Sequence, residues 1–257
     1  MNLKDKVCII TGAASGIGLA TARLFHRNGW TLGLTDINHD ALVELASELD
    51  QCWHRQLDVT DDIACRHACQ EFAADSGGLD VLFNCAGILQ MGHFEDISAE
   101  QHKRIIDINV TGLINMTLAA HPLLQDSNSA AVINMSSASA LYGTPHFASY
   151  SASKFAVRAL TEALDIEWGR QGIRVLDIMP PFVSTPMLTE ASFRSPVVDR
   201  MGVNLDADDI ARTVFQAATE TAPVHNPVGG VFKLMTLSNK LLPSRATRLL
   251  MQFMSRE

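Results

Sequence analysis

The chain alternates short apolar runs with stretches of helical periodicity over its first 180 residues. The runs are continuous and rich in β-branched residues, which is typical of buried strands. Strands are predicted at residues 6–11, 30–35, 52–57, 81–84, 130–135 and 173–179. Apolar strands that are separated by helices indicate a parallel sheet that is covered by helices on both faces.

The helical stretches lie between these strands. Apolar spacing predicts helices over residues 41–49, 61–74, 99–124 and 150–171, and another helix follows the first strand. A last strand is predicted at Val228–Leu234. Since neither an internal repeat nor a linker is visible, we predict one domain over residues 1–257. The expected fold is α/β, with a doubly wound, Rossmann-like parallel sheet of about seven strands.

Prolines characterise the segment after the sixth strand. Positions 180, 181, 186 and 196 are all proline, and proline interrupts helices and central strands. We interpret residues from about 181 to 205 as an irregular loop or lid beside a site.

The charge balance restricts the partners of the chain. It has 20 Lys and Arg against 28 Asp and Glu, a formal net charge of −8. Nucleic acid is not an expected partner, because binding phosphates requires a basic face. An acidic chain also suits an anionic membrane surface poorly. The N-terminal apolar run, Val7–Ile10, is too short for a signal peptide or a membrane span.

The chain has five cysteines, at positions 8, 52, 65, 69 and 85. An odd number in a chain of this size favours reduced thiols and a cytoplasmic protein over a disulfide framework. A metal site is the alternative, and its candidate ligands are Cys52, His54, Cys65, His67 and Cys69. The paired CxxC spacing of zinc sites is missing, so we expect no metal.

A glycine-rich turn, Thr11–Gly18, joins the first strand to the first helix. Glycines allow a tight turn and let the backbone approach a pyrophosphate, while the helix N-terminus supplies N–H donors and a favourable dipole. Glycines also end strands for steric reasons alone. The strand before this turn and the helix after it favour dinucleotide binding.

Asp36 ends the second strand, 18 positions after Gly18. A carboxylate there can accept hydrogen bonds from the adenosine ribose hydroxyls and repels a 2′-phosphate. The next residue is Ile37 rather than arginine, which favours NAD over NADP. The alternative is that Asp36 only caps the following helix.

Several motifs together resemble the short-chain dehydrogenase/reductase family. The matching segments are Thr-Gly-x-x-x-Gly-x-Gly at 11–18, Leu57-Asp58-Val59-Thr60, Asn84-Cys85-Ala86-Gly87, Asn109, Ser137, Tyr150-x-x-x-Lys154 and residues 180–185. They span about residues 6–187. This resemblance implies an NAD(P)-dependent oxidoreductase that acts on CH–OH groups.

Tyr150 and Lys154 are four residues apart on a predicted helix, so both side chains lie on one face. A neighbouring ammonium stabilises a phenolate, whose ordinary pKa is near 10. The family resemblance implies that Tyr150 is the acid/base and that Ser137 binds the substrate oxygen. It also implies that Lys154 binds the nicotinamide ribose and lowers the Tyr150 pKa, and that Asn109 holds a water of a proton relay. Ser136 is the alternative to Ser137.

The resemblance also implies a set of cofactor-binding residues. They are Gly12, Ser15, Gly16, Ile17, Gly18, Asp36, Asp58, Val59, Asn84, Ala86, Gly87, Tyr150, Lys154, Pro180, Val183 and Thr185. Pro181 replaces the glycine that is usual in the family, which stiffens this loop and removes an N–H donor. Thr185 is alternatively a helix N-cap.

Apolar residues are frequent where substrate contacts are expected. They are Met91, Phe94, Leu141, Tyr142, His146, Phe147, Phe182, Met187, Leu188 and Phe193. We therefore expect NAD(H)-dependent interconversion of a hydrophobic secondary alcohol and its ketone, such as a steroid, retinoid, acyl or aromatic compound. The alternatives are an NADPH-dependent ketoacyl-type reductase and a nucleotide-sensing protein without activity.

The C-terminal tail, residues from about 238 to 257, has Leu249, Leu250, Phe253 and Met254 at helical spacing, with arginines nearby. Packing on the domain or on a partner subunit is the favoured interpretation, and contact with a membrane surface is the less favoured alternative. The family resemblance implies a homodimer or homotetramer that is formed through the helices of Asn109 and Tyr150.

Overall fold

The fold is organised around a parallel sheet. The computed structural model describes residues 6–50, 52–241 and 244–256, without the side chains of 238–246. The strands are β1 (Val7–Thr11), β2 (Thr31–Asp36), β3 (Trp53–Gln56), β4 (Val81–Asn84), β5 (Ala131–Met135), β6 (Arg174–Met179), β7 (Val183–Ser184), β8 (Leu205–Asp206) and β9 (His225–Pro227). Seven of the described strands form one sheet in the order β3-β2-β1-β4-β5-β6-β9, and β7 pairs with β8. All strand pairs are parallel, which confirms the doubly wound, Rossmann-like sheet.

Helices connect the strands. They are α1 (Gly16–Arg27), α2 (His39–Glu48), α3 (Asp62–Ser76), α4 (Ala99–Ile106), α5 (Leu113–Leu124), α6 (Ala148–Gly169), α7 (Pro186–Thr189), α8 (Pro196–Met201), α9 (Ala207–Thr219), α10 (Gly230–Leu241) and α11 (Ser244–Met254). A π-helical segment, Asp107–Gly112, joins α4 to α5. The predicted helix over residues 99–124 is therefore continuous but widens in its middle.

The core has two parts, one on each face of the sheet. On one face α1 and α9 pack together, and Phe25, Trp30 and Phe215 form a cluster of aromatic rings. On the other face α3 and α5 cover the sheet, and Phe72 and Met116 are buried there. Burial of these apolar surfaces holds both helix layers against the strands.

The last strand differs from its prediction. Residues His225–Pro227 form β9, whereas Val231 and Leu234 belong to helix α10. Gly229, with φ of +88°, lies between the two elements. The predicted strand at Val228–Leu234 is wrong because its apolar residues follow helical spacing on through Leu237.

The segment 181–205 contains two short helices instead of an irregular loop. Pro186 and Pro196 start α7 and α8, where the missing N–H of proline costs no hydrogen bond. Helix α9, which the sequence prediction lacked, begins with a capping box between Asp206 and Asp209. We call residues 185–204 the lid.

The sheet places its carboxyl ends beside the lid. Strands β2 and β4 lie on opposite sides of β1. The order in which strands are added to the sheet therefore changes direction at β1. Such a switch point leaves a crevice where ligands bind in open α/β sheets. None of the helices in the described part of the chain is long and apolar enough to cross a membrane.

Candidate active site

A cavity of about 580 Å³ lies at the carboxyl ends of the strands. Its walls come from the glycine turn, the ends of β2 to β6, the start of α6, the lid, and helices α10 and α11. The predicted cofactor-binding residues that line it are Gly12, Ser15, Gly16, Ile17, Asp36, Asp58, Val59, Ala86, Gly87, Tyr150, Lys154, Pro180, Val183 and Thr185. Gly18 and Asn84 lie behind this surface.

The glycine turn brings two segments of backbone into close contact. Gly12 has φ of +66°, and a Cβ atom there would lie 2.9 Å from Ala86 Cα. A Cβ on Gly18 would lie 2.0 Å from the Gly12 carbonyl oxygen. Only glycine fits either position, so the turn can present its backbone and the N-terminus of α1 to a phosphate.

The Asp36 carboxylate lies next to this turn. Its Oδ2 accepts a hydrogen bond from the Ala14 N–H at 2.9 Å, and its Oδ1 accepts one from the Asn38 N–H at 2.9 Å. The N-cap of α2 is Asn38, whose side chain accepts a bond from Ala41. Asp36 is therefore not the residue that caps the helix, and it faces the cavity.

The end of β4 is tied to the strands around it. Thr11 Oγ1 accepts hydrogen bonds from the Cys85 and Ala86 N–H groups, both at 3.0 Å. Asn84 is buried, and its Nδ2 donates to Thr117 Oγ1 at 2.9 Å and to Asn134 Oδ1 at 3.0 Å. The structure thus places Asn84 in a buried polar network and leaves the cavity wall to Ala86 and its neighbours.

Tyr150 and Lys154 lie on successive turns of α6. The Lys154 Nζ atom is 5.5 Å from the centroid of the Tyr150 ring. Lys154 is only 5% exposed, and its Nζ donates to the Met135 carbonyl oxygen at 2.8 Å. The helical spacing therefore brings the ammonium beside the phenol, as predicted, and a backbone hydrogen bond fixes it there.

Burial moves the two pKa values in opposite directions, because it disfavours the charged form of each group. It raises the pKa of Tyr150 to about 12, although a hydrogen bond with Ser137 lowers it in part. It lowers the pKa of Lys154 to about 8. Without a cofactor the phenol is thus protonated at neutral pH. Burial and the hydrogen bond with Ser137 are the largest causes of this shift, and Lys154 is not among its causes, so the predicted lowering of the Tyr150 pKa by Lys154 is not found here.

The two candidate serines follow β5. Ser137 borders the cavity, and its Oγ accepts from the Ser139 N–H at 3.1 Å. Ser136 also borders the cavity, but its buried Oγ has no hydrogen-bond partner in the part of the chain that is described. The hydrogen bond with Tyr150 involves Ser137, which favours Ser137 over Ser136 as the residue beside the phenol.

Asn109 lies in the π-helical segment and does not border the cavity. Its Nδ2 donates to the Ile88 carbonyl at 3.0 Å and to Ser153 Oγ at 3.1 Å, and its Oδ1 accepts from the Ile88 N–H at 2.8 Å. Both amide hydrogens are used, so the side chain itself braces the segment after β4 against α6. Its assignment to a water relay stays a prediction.

The chain after β6 crosses the glycine turn. A Cβ on Gly16 would lie 3.4 Å from Thr185 Cγ2. Thr185 is the N-cap residue of α7, but its side chain makes no capping hydrogen bond. The Pro180 carbonyl accepts from the Ala138 N–H at 2.8 Å, which ties this loop to the segment that follows β5.

The part of the cavity beyond Tyr150 is largely apolar, and five of the ten residues predicted to contact a substrate line the cavity. The predicted residues that line it are Leu141, Tyr142, Phe182, Met187 and Leu188. Met91 and Phe147 are buried behind the wall, Phe94 is exposed, and His146 and Phe193 lie outside it. Lining residues that the sequence analysis missed include Leu89, Met135, Met201, Phe232, Met235, Thr247, Leu250 and Met251. Helical spacing in the tail could reveal an apolar face, but not what that face covers.

His146 joins three segments around the lid. Its Nδ1 lies 3.0 Å from the Oγ of Ser195, the buried N-cap residue of α8. Its ring packs edge-on against His93 and Phe193, and its carbonyl accepts from the Gly92 N–H at 3.1 Å. His146 has φ of +68°, which is uncommon for a residue with a side chain.

Helix α11 closes the cavity from the side of α8. Arg200 donates from Nη1 to the carbonyl oxygens of Phe253 and Met254, at 3.0 Å and 2.7 Å. Its guanidinium also lies 5.8 Å from the Phe253 ring centroid. These are the last carbonyls of α11, which attract a positive charge. The tail therefore packs on the lid, and its residues Leu250 and Met251 reach the cavity.

The cysteines and their neighbours form no obvious metal centre. Within the described ranges no group of three His, Cys, Asp or Glu side chains has a geometry that could hold a metal ion. All five cysteines are free, and burial raises the pKa of Cys65 and Cys69 to about 12.

Comparison with known proteins identifies relatives over most of the chain. The sequence profile of the short chain dehydrogenase family matches residues 6–194. The oxidoreductase UcpA of Salmonella typhimurium is 37% identical over 72% of each chain. Cyclopentanol dehydrogenase of Comamonas testosteroni is 35% identical over 72% of this chain and 76% of its own. A crystal structure of the 3-ketoacyl-(acyl-carrier-protein) reductase of Brucella melitensis, complexed with NADH, superposes with a TM-score of 0.79 at 27% identity, over 88% of this chain and 97% of that chain.

Proposed function

Because the chain belongs to the short-chain dehydrogenase/reductase family, and is thus an oxidoreductase that acts on CH–OH groups, we propose that it interconverts a hydrophobic secondary alcohol and its ketone with NAD(H). The observation that carries this proposal is the convergence of Ser137, Tyr150 and Lys154 on one cavity that also borders the glycine turn.

Tyr150 is the acid/base of the proposed reaction. In the reductive direction its hydroxyl donates a proton to the substrate oxygen, and in the oxidative direction it removes that proton. Ser137 holds the same oxygen by a hydrogen bond. The raised pKa of Tyr150 keeps its hydroxyl protonated at neutral pH, which suits proton donation. Proton removal requires a positive charge to be added nearby, because a cation lowers the pKa of a phenol.

The cavity fits a nicotinamide dinucleotide. Its pyrophosphate would lie on the glycine turn, where Gly12 and Gly18 leave no space for a side chain. Lys154, Val183 and Thr185 would hold the nicotinamide end. When bound, the nicotinamide ring supplies the hydride acceptor or donor and, in its oxidised form, a positive charge. The Lys154 Nζ donates one hydrogen bond to the Met135 carbonyl oxygen. Its other N–H groups can donate to ribose hydroxyls.

Asp36 supports NAD over NADP. Its carboxylate is held by the Ala14 and Asn38 N–H groups and lies at the end of β2 beside the turn. A fixed negative charge at this position can accept hydrogen bonds from ribose hydroxyls but repels a 2′-phosphate. The Brucella neighbour, which was crystallised with NADH, agrees with this choice.

The cavity wall supports an uncharged, hydrophobic substrate. Beyond Tyr150 the lid and the two C-terminal helices contribute mainly methionine, leucine and phenylalanine side chains, together with Thr185 and Thr247. An apolar wall of this kind binds apolar surface and leaves a charged group without a partner. The Comamonas relative acts on cyclopentanol, a small apolar alcohol, which is consistent with this class.

A homo-oligomer that forms through α5 and α6 is part of the proposal. Leu118, Phe155 and Ile166 are exposed on these helices, and a second copy would bury them. The proposal also includes a single domain and a cytoplasmic location, which keeps the cysteines reduced.

The proposal is tested by screening alcohols and ketones of increasing apolar size while following NADH absorbance. It predicts turnover of uncharged secondary alcohols or ketones with NAD(H). Turnover confined to acyl thioesters with NADPH would instead support the ketoacyl-type alternative. Cofactor binding without any turnover would support a sensor.

A further inference from the structure

Helices α10 and α11 carry apolar side chains on more than one face. Phe232, Met235 and Met251 line the cavity. Apolar side chains also point outward from the same two helices, and each is at least 44% exposed; they are Val231, Leu234, Leu237, Leu249, Leu250 and Phe253. We call these six residues the tail patch. A surface of this kind on a folded protein marks a contact with another apolar phase or molecule.

The charge around the tail patch is opposite to that of the rest of the protein. Between residues 221 and 257 the sequence has five Lys and Arg and one acidic residue, Glu257, although the whole chain has a formal net charge of −8. On the described helices Lys233 and Arg248 are exposed, directly beside Leu234 and Leu249. Exposed leucine and phenylalanine with interspersed basic residues are the composition of helices that lie in a membrane interface.

We propose that the tail patch docks this enzyme on the surface of an anionic lipid bilayer. The apolar side chains enter the boundary between headgroups and acyl chains, and the basic side chains bind the headgroup phosphates.

A second copy of the chain suits the tail patch less well. A symmetric dimer sets the same surface of both copies against each other, so the basic residues of two tails would meet and repel. The exposed apolar residues of α6 differ in this respect, since Ile166 lies between Asp165 and Glu167 and four positions before the exposed Arg170. The mixed charges on α6 permit two copies to associate there. The tail patch is surrounded by positive charge, which favours binding to a negatively charged surface.

The position of the patch gives the docking a consequence for the proposed reaction. Leu250 is 44% exposed and also lines the cavity, so the patch reaches the edge of the cavity. Docking would therefore turn this edge toward the lipid, where hydrophobic alcohols and ketones partition. This consequence rests on the proposed function, but the docking itself does not.

Vesicle sedimentation of the full-length protein tests the docking without any turnover. The vesicles contain either phosphatidylcholine alone or phosphatidylcholine and phosphatidylglycerol at about two to one. The protein should sediment with the anionic vesicles only, and salt at about 0.5 M should release most of it. Failure to bind the anionic vesicles, or equal binding to both kinds, would overturn the proposal.

Two double variants separate the apolar from the electrostatic contribution. Leu234→Gln with Leu249→Gln, which adds no charge, should abolish binding. Lys233→Gln with Arg248→Gln should weaken it by about 25-fold, at about fivefold for each charge. Ile63→Gln, at an exposed apolar residue on α3, is the control and should bind as the wild type does.

Thermal unfolding and sedimentation velocity distinguish lipid docking from misfolding and from self-association. All variants should keep the wild-type unfolding midpoint, because the substituted side chains are exposed. If the leucine variant binds vesicles normally, the patch is not the docking surface. If wild type ignores vesicles and the leucine variant dissociates into a smaller species, the patch binds a second copy and the proposal is wrong.

Discussion

The Lys154 ammonium donates a hydrogen bond to the carbonyl oxygen of Met135 at 2.8 Å, and this bond ties helix α6 to the carboxyl end of β5. It holds a cation in a largely apolar setting, where Lys154 is 5% exposed. A charge in such a place costs stability, which the protein tolerates if the charge is needed for the reaction.

Lys154→Met should therefore stabilise the protein while reducing turnover. Burial lowers the folded-state pKa of Lys154 from 10.5 to about 8, so between these values the unfolded chain binds the additional proton and stability rises with pH. Burial of the Lys154 charge therefore lowers the free energy of unfolding. This loss is complete below about pH 8 and is at most about 3 kcal/mol. Loss of the bond to Met135 offsets about 1 kcal/mol of the gain.

Guanidinium unfolding of wild type and Lys154→Met measures this difference. The variant should be more stable by about 1–2 kcal/mol near pH 7, and its advantage should shrink as the pH rises toward about 10. The exposed Lys233→Met is the control and should show no such trend. A variant that is less stable than wild type at neutral pH would refute the argument from burial.

Asp36→Asn should change the choice of cofactor. The amide oxygen can still accept the hydrogen bond from the Ala14 N–H, whereas the bond from the Asn38 N–H is lost because the amide NH2 cannot accept it. The substitution also removes the charge that repels a 2′-phosphate. The ratio of the Kd values for NADP and NAD should fall by about tenfold or more. Fluorescence titration of NADH and NADPH measures both constants. Asp58→Asn, at the same cavity, is the comparison, and an equal effect there would contradict the assignment to Asp36.

His146 should position the lid. His146→Asn retains a residue that tolerates φ of +68°, but its shorter side chain cannot reach Ser195 and His93 in the same way. We expect KM for the ketone to rise by about tenfold while kcat changes less, because a looser lid weakens substrate binding. Ser195→Ala should give the same pattern. If kcat falls and KM is constant, His146 acts on the chemical step instead.

His225 should make stability depend on pH. Its Nδ1 lies 2.9 Å from Oδ2 of the buried Asp177, and this hydrogen bond raises the pKa of His225 above 6.5. A raised folded-state pKa stabilises the protein fully below 6.5, and this contribution is lost as the pH rises through the folded-state value. His225→Ala should therefore lose about 2 kcal/mol near pH 5.5 and less near pH 8. His67→Ala, on the surface of α3, should show no such trend in urea unfolding, and a constant loss for His225→Ala would contradict the explanation.

The local chemistry of the site could be predicted from the sequence because it depends on short spacings. The four-residue spacing of Tyr150 and Lys154 fixes their shared face on any helix. Gly12 and Gly18 frame a turn whose neighbours in sequence are a strand and a helix. The place of Asp36 beside the turn could be predicted because this residue ends the second strand. Each of these needs only the position of one element.

The remainder of the site depends on contacts that are distant in sequence. Asn84 binds Asn134 because β4 and β5 are neighbours in the sheet, and it binds Thr117 because α5 packs on β4. The motif around Asn84 contains neither relationship. The contact of Arg200 with the end of α11 joins residues that are 53 and 54 positions apart. The lining by Leu250 and Met251 depends on this contact, so helical spacing alone could not show it.

Tyr150→Phe removes the hydroxyl that is proposed to exchange the proton. The phenylalanine ring fills the same space but has no proton to exchange. NADH should bind with nearly the wild-type Kd, while kcat for the best ketone of the screen should fall by about a thousandfold or more. Turnover within about twofold of wild type, with cofactor binding intact, would show that Tyr150 is not the acid/base.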